Sequence, residues 1–335
     1  MLLVAPVDQA VRQQLTDELG QVESLFVQEL QCPLECVNRL VAHVERYRGK
    51  RLRPLLVLVA GMASSPDGST LTDDHRALAT VVEMVHMATL VHDDILDEAD
   101  VRRGGPTVNT LRGNETAVML GDYMISHAYH LCSSMDNQQI ARTVAHTTNV
   151  VCEGELLQLA NRENWELDEE VYYQIIDRKT ASLCGTCCKL AAVINDQPQK
   201  VQDALDNYGR NLGVAFQIID DLLDLTGDED TVGKSTGRDL TKGKLTLPLI
   251  HFRINAPQEQ RDTFIKLLSS QAVNNDDSVS NQIRKMVTDF GSVQFASERA
   301  SELIAQAQQA LLVLPDSPAR KLLHEMAQAV LTRQF

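Results

Sequence analysis

The sequence predicts an all-α protein, and three observations carry that prediction. Apolar residues make up 44% of the chain while aromatics are 4%, a balance that suits packed helices better than a β-sandwich. Apolar residues recur with helical spacing along nearly the whole length. No two alternating runs are joined by a hairpin turn.

The elements follow in order. Val7 to Gln31 reads as an amphipathic helix that Pro33 breaks, and Leu34 to Tyr47 resumes the pattern. The basic stretch Arg48–Arg53 leads to Pro54, which opens a helix at its first turn, where a missing N–H costs little. Asp73 and Asp74 are expected to cap a long helix running to about Asp97, and Gly104–Pro106 closes that region as a turn. Further helices are predicted at Glu115–Ser134, Gln138–Leu159, Asp168–Val193, Val201–Leu225 and Leu247–Asn255, and Ser317–Pro318 starts a final one. Thr226–Lys244, with four glycines and three lysines, is the most loop-like stretch and reads as a functional lid or an excursion. No linker composition divides the chain, so one domain over residues 1–335 is expected.

The charge balance limits the partners. A net charge of −15 argues against nucleic acid, and an anionic substrate would need metal ions or a local cluster of bases. The opening residues lack a basic stretch followed by an apolar one, and no apolar run is long enough to span a bilayer, so a cytoplasmic chain is expected. Seven irregularly spaced cysteines fit a reducing compartment rather than a disulfide framework.

Two aspartate motifs carry the chemistry. Asp93-Asp94-Ile95-Leu96-Asp97 ends one apolar helix pattern, and Asp220-Asp221-Leu222-Leu223-Asp224 lies in another. Residues four apart share a helix face about 5.4 Å apart, so Asp93 projects with Asp97, and Asp220 with Asp224. Asp94 and Asp221 point roughly 100° away and read as outer support for a metal site. Stacked like charges destabilise a helix, and hard divalent cations such as Mg²⁺, held by carboxylates and substrate phosphates, offset them. One such motif would be equally well explained as a solvated helix end. Two, each in strongly apolar sequence, are not, because charges among apolar residues are costly unless paired. Around them lie Lys50, Arg51, Arg53, Arg102, Arg103, Lys179, Lys234 and Lys244. Each alone reads as a surface cation; together they complement two diphosphates, Arg as a bidentate partner and Lys as a point charge.

On these residues the chain resembles the trans-prenyl diphosphate synthase family over almost its whole length. The matching stretches are Gly49–Pro54, His86–Arg103, Gly121-Asp122, Gly154-Glu155 with Gln158, Lys179-Thr180, Phe216-Gln217 leading into Asp220–Asp224, Gly233-Lys234, and Lys244 with Thr246-Leu247-Pro248. The nearest likeness is to bacterial long-chain synthases of the octaprenyl type, which supply quinone side chains. The resemblance implies a single-domain helical bundle of the isoprenoid synthase type with a central substrate cavity. It implies that Asp93, Asp97 and Asp220 bind three Mg²⁺ ions, with Asp94, Asp221 and Asp224 in support. It places Arg102, Lys179, Lys234 and Lys244 on an allylic diphosphate, and Lys50, Arg53, Arg103 and His86 on isopentenyl diphosphate. Lys179, Thr180 and Gln217 fall where the family stabilises the developing carbocation. It also implies a homodimer, with transient membrane contact for product release. One departure is Arg238, at a position where relatives often carry an acid.

Ala88 lies five residues before Asp93, where short-chain members of the family carry a large aromatic. Val85 and Val81 continue the same helix face, so a small Ala88 leaves room for a long product of seven to ten isoprene units, by the family's pattern. The floor is expected among Met119, Met124, Ala128 and Leu131 on the next helix. Cys184, Cys187 and Cys188 suggest half of a zinc site, but no matching ligands accompany them and packing is the better reading. A class I terpene cyclase would not need the second motif or the second set of bases. A ferritin-like protein would need Glu-x-x-His pairs that are lacking. A shorter-chain synthase and a non-catalytic partner subunit remain as alternatives, the latter disfavoured by two intact motifs.

Overall fold

The computed structural model describes residues 8–46, 49, 51–226, 237–270 and 277–332, without the side chains of Arg238 and Asp277. Among the described residues its regular structure is helical apart from one pair of two-residue strands. Two compact units make it up: Met1–Thr148, Leu183–Gly209 and Ala310–Glu325 form the first, and Asn149–Ser182, Arg210–Gln309 and Met326–Phe335 the second. Each division falls within a helix, where no linker composition marks it.

Unit 1 opens with α1 (Gln9–Leu30), α2 (Glu35–Glu45), α3 (Leu52–Ser64), α4 (Asp73–Leu96), α5 (Val108–Arg112) and α6 (Asn114–Ser133). Its centre is α4, which packs against α6, α3 and α1. No Gly or Pro interrupts its 24 residues, and apolar side chains such as Leu78, Val82, Met84 and Met87 are buried. A helix buried nearly all round needs several partners, and each such side chain contributes about 1.5–3 kcal/mol on burial. The cap of α4 is Thr72, not Asp73 as expected; Asp73 and Asp74 occupy the first turn, where carboxylates favour the positive helix end. Thr72 N donates to Nδ1 of His75 at 3.2 Å, and His75 Nε2 lies 3.3 Å from the Ala191 carbonyl. With Nδ1 accepting, the Nε2–H tautomer donates to that carbonyl.

Where the sequence suggested only a turn, Val101–Arg102 (β1) pairs antiparallel with Gly105–Pro106 (β2). Arg103 and Gly104 between them have φ of 51° and 77°, the all-positive pattern of a two-residue hairpin turn. Strands this short have no alternation to detect.

The chain continues through α7 (Gln138–Ala160), α8 (Glu169–Ile176), α9 (Ser182–Ile194) and α10 (Gln199–Thr226). The helix expected over Asp168–Val193 is interrupted by a π-helical segment, Asp177–Ala181. The three cysteines of α9 are buried free thiols, and a Cβ added at Gly209 of α10 would stand 2.7 Å from Gly185 Cα. Small residues let the two helices touch there, as the packing reading expects.

Unit 2 also holds α11 (Arg238–Thr241), α12 (Leu247–Asn255), α13 (Gln258–Leu268), α14 (Asp277–Asp289) and α15 (Ser292–Ala310), and α16 (Pro318–Leu331) closes the chain. Helix α12 packs on α8, α13 and α14. Ser317 caps α16 as expected, accepting from Arg320 N at 3.1 Å. The short α11 lies inside the stretch expected to be loop. Among the described residues, no helix is long and apolar enough to cross a membrane.

Candidate active site

In unit 1 the first aspartate motif occupies the end of α4, with Asp97 as its C-cap and no basic residue in the last turn. Carboxylates at the negative end of a helix are unfavourable unless a cation offsets them. Asp94 turns inward, as its spacing predicts: it is 2% exposed and accepts from Arg102 Nε at 2.7 Å. Arg102 is thereby tied to α4 from the hairpin.

The second arginine of the hairpin, Arg103, rests its guanidinium against Gly49. Its left-handed backbone is uncommon for a residue with a side chain, as is that of Arg51, the residue preceding α3. Arg51 is ion-paired with Glu23 of α1, which anchors the start of the helix that carries Arg53. Desolvation, with Arg53, Arg103 and Arg102 nearby, pushes the pKa of His86 well below its ordinary value and keeps the imidazole neutral. Desolvation and Arg102 also lower the pKa of Arg103, with Glu83 opposing. Three arginines gathered at such cost suit an anionic ligand. Lys50 lies outside the described residues.

His92, beside Asp93, packs its ring against Gly121 of α6, with Nε2 3.2 Å from the Val118 carbonyl and 3.6 Å from Asp122 Oδ1. That contact accounts for the Gly121-Asp122 pair in the sequence. Val81, Val85 and Ala88 are all fully buried on α4. Of the expected floor residues, Met124, Ala128 and Leu131 are buried on α6, whereas Met119 is 64% exposed. Five residues separate it from Met124, a rotation of roughly 140° that takes it to another face.

In unit 2 the second motif lies in the last turns of α10, again with no basic residue at the helix end. Asp224 accepts from Gly237 N through its carbonyl at 2.8 Å and from Asp239 N through Oδ2 at 3.0 Å, so it holds the start of α11. Burial, with Asp224 and Asp220 nearby, raises the pKa of Asp239 to about 6, opposed by Lys244, whose Nζ stands 4.0 Å from Asp239 Oδ1. Asp221 is 6% exposed. Its Oδ1 accepts from Gln217 Nε2 at 2.8 Å and its Oδ2 from Tyr172 OH at 2.7 Å. Thr180 Oγ1 in turn donates to Gln217 Oε1 at 3.1 Å.

Lys179 and Thr180 lie in the π segment, which two glycines approach closely. A Cβ at Gly154 of α7 would stand 2.6 Å from Lys179 N, and one at Gly213 of α10 would stand 2.6 Å from Ala181 Cα. Lys179 is ion-paired with Glu155. Lys179, Thr180, Gln217, Asp221, Asp239 and Lys244 line a cavity of about 120 Å³ together with Tyr172 and Gln158. Lys234 lies outside the described residues, as does the side chain of Arg238.

Sequence reasoning left Glu155 outside its site set and did not single out Tyr172, Glu83 or Asp239. The glutamate–glycine pair beside Gln158 was the available signal for Glu155. Nothing local marks the other three.

A divalent cation fits both donor sets. Each is a group of carboxylates at a helix carboxyl end, and in the second, burial together with Asp224 and Asp220 raises the pKa of Asp239. Among the described residues, no three His, Cys, Asp or Glu side chains converge into a metal cage. Such sets suit a cation that completes its shell with water and phosphate oxygens.

The polyprenyl synthetase family model matches residues 35–287. The all-trans-nonaprenyl-diphosphate synthase (geranyl-diphosphate specific) of Rhodobacter capsulatus is 35% identical over 331 residues, covering 99% of this chain and 97% of that protein. A decaprenyl diphosphate synthase from the same organism superposes with a TM-score of 0.89 at 33% identity, covering 96% of this chain and 98% of the other. A polyprenyl synthase from Caulobacter crescentus, complexed with calcium and isoprenyl diphosphate, superposes with a TM-score of 0.87 at 29% identity over 97% of both chains. The chain belongs to the polyprenyl synthetase family.

Proposed function

We propose that this protein condenses isopentenyl diphosphate with an allylic diphosphate, head to tail and trans, to make a long polyprenyl diphosphate, the whole chain acting as one catalytic domain. The observation that carries the reading is that Arg102 holds Asp94 of the first aspartate motif, while Lys179 and Lys244 line one cavity with Asp221 of the second. The Caulobacter relative's calcium and isoprenyl diphosphate support it.

Asp93, Asp97 and Asp220 would hold Mg²⁺, three ions by the family's pattern, with Asp94, Asp221 and Asp224 fixing the surroundings. Ions bound there would supply positive charge to offset that growing on the leaving diphosphate. Arg102, Lys179, Lys234 and Lys244 bind the allylic diphosphate. Lys50, Arg53, Arg103 and neutral His86 bind isopentenyl diphosphate. The allylic C1–O bond breaks with its electron pair leaving on oxygen, and the C4 double bond of isopentenyl diphosphate attacks the cation. A proton is then lost to the released diphosphate. Lys179, Thr180 and Gln217 stabilise the charge that develops.

A long product is supported by the small, buried Ala88 and by the nonaprenyl and decaprenyl relatives; its fate is a quinone side chain. The working form is a homodimer in the cytoplasm that meets a membrane transiently to release product. Exposed Leu111, Val118 and Met119 in unit 1 suit a subunit contact, and light scattering on the purified protein tests it.

The decisive experiment incubates the protein with isopentenyl diphosphate, Mg²⁺ and geranyl, farnesyl or geranylgeranyl diphosphate. Mass analysis is expected to find products of seven to ten isoprene units, abolished by a chelator. If no primer is extended, the reading fails.

A further inference from the structure

We propose that Tyr172 is a positioning residue for the condensation, acting through Asp221 and Gln217 on the hydroxyl of Thr180. The inference rests on the proposed function and adds a residue that the aspartate motifs do not reveal.

Four side chains form one hydrogen-bonded series, Tyr172 to Asp221 at 2.7 Å, Gln217 to Asp221 at 2.8 Å and Thr180 to Gln217 at 3.1 Å. Tyr172 is 3% exposed and Asp221 6%, so water competes little for these bonds. Both Asp221 oxygens accept, and Gln217 turns its NH₂ towards Asp221 and its carbonyl oxygen towards Thr180. A threonine hydroxyl has a single proton, and here it is spent on Gln217. What Thr180 has left for the cavity is lone pairs, the feature that stabilises a nearby carbocation.

The π segment brings the two ends of the series together. Eight residues of regular helix would leave Tyr172 and Thr180 roughly 80° apart, and one extra residue in a π turn reduces that to roughly 20°. Both accordingly line one cavity. Tyr172 itself needs no contact with substrate. Without its hydroxyl, Asp221 Oδ2 is left buried and short of a donor, and the carboxyl no longer has a unique orientation in which to hold Gln217.

The test is a double-mutant cycle on kcat, with Tyr172→Phe and Thr180→Val in the full-length protein. Tyr172→Phe is expected to lower kcat about tenfold, leave KM for each diphosphate within about twofold, and have almost no further effect in the Thr180→Val background. Losses that multiply, or an unchanged kcat, would overturn the inference. If Tyr172→Phe does not fold, site-specific 3-fluorotyrosine at position 172 keeps the shape and strengthens the donor. It must then change kcat in the wild-type background and not with Thr180→Val; any other result counts against the proposal. An additive cycle in an active enzyme removes only the role of Tyr172, whereas a wild-type protein that extends no primer removes the proposed function itself.

Discussion

The guanidinium of Arg103 lies so close to Gly49 that a Cβ added there would overlap it. The obstruction is the far end of a flexible side chain, so Gly49→Ala should leave the fold intact and move the guanidinium. We expect a stability change below about 1 kcal/mol and a rise of about tenfold in KM for isopentenyl diphosphate, with that for the allylic substrate little changed. Steady-state titration of each substrate checks this. Equal effects on both would mean that Arg103 is not dedicated to one diphosphate.

Gly213 presents the opposite case. A Cβ there meets the Ala181 backbone at 2.6 Å, which cannot swing away. Gly213→Ala should cost about 1–3 kcal/mol and lower kcat by disturbing the π segment that carries Lys179 and Thr180. Gly20 of α1 is the control, with nothing within 4 Å of an added Cβ; Gly20→Ala should stabilise by about 0.5–1 kcal/mol. Urea unfolding of the two variants should give shifts of opposite sign.

Stability should fall in mild acid because of His75. Burial lowers its pKa from 6.5 to about 4, and its Nδ1 is already an acceptor for Thr72. A folded-state pKa below the unfolded value means that the unfolded chain binds more protons between these limits. The contribution is therefore fully present above pH 6.5 and is lost as pH falls towards 4, amounting to about 3 kcal/mol. His86, also lowered, adds in the same direction, whereas Asp239, raised from 3.8 to about 6, opposes it over the same window. Melting curves from pH 7 to 4.5 test the slope, which should flatten in His75→Gln. A slope of the same steepness in that variant would show that other groups are responsible.

Ala88→Phe should shorten the product to about three or four isoprene units, read by thin-layer chromatography of radiolabelled products. The position is fully buried, so overpacking should also cost about 1–3 kcal/mol. Unchanged chain length in a folded variant would sink the tunnel hypothesis.

The fold class was legible because helical periodicity is a local property, repeated over most of the chain. The inward turn of Asp94 was legible for the same reason, since a position on a helix follows from spacing alone. The hairpin at Val101–Pro106 was not, because two-residue strands leave no period. The floor residue Met119 was misplaced because "the next helix" does not say which of its faces turns inward.

By itself the sequence determined the class of fold, the carboxylates and bases available for the chemistry, and the small residue at position 88. Only the tertiary structure decided who holds whom: Arg102 against Asp94, Arg103 against Gly49, Lys179 against Glu155, and Tyr172 on Asp221 across 49 residues of chain. Motif spacing reports which groups one helix presents together. The partners of a buried polar group depend on which helix faces meet, and burial makes each pairing obligatory only after the chain has packed.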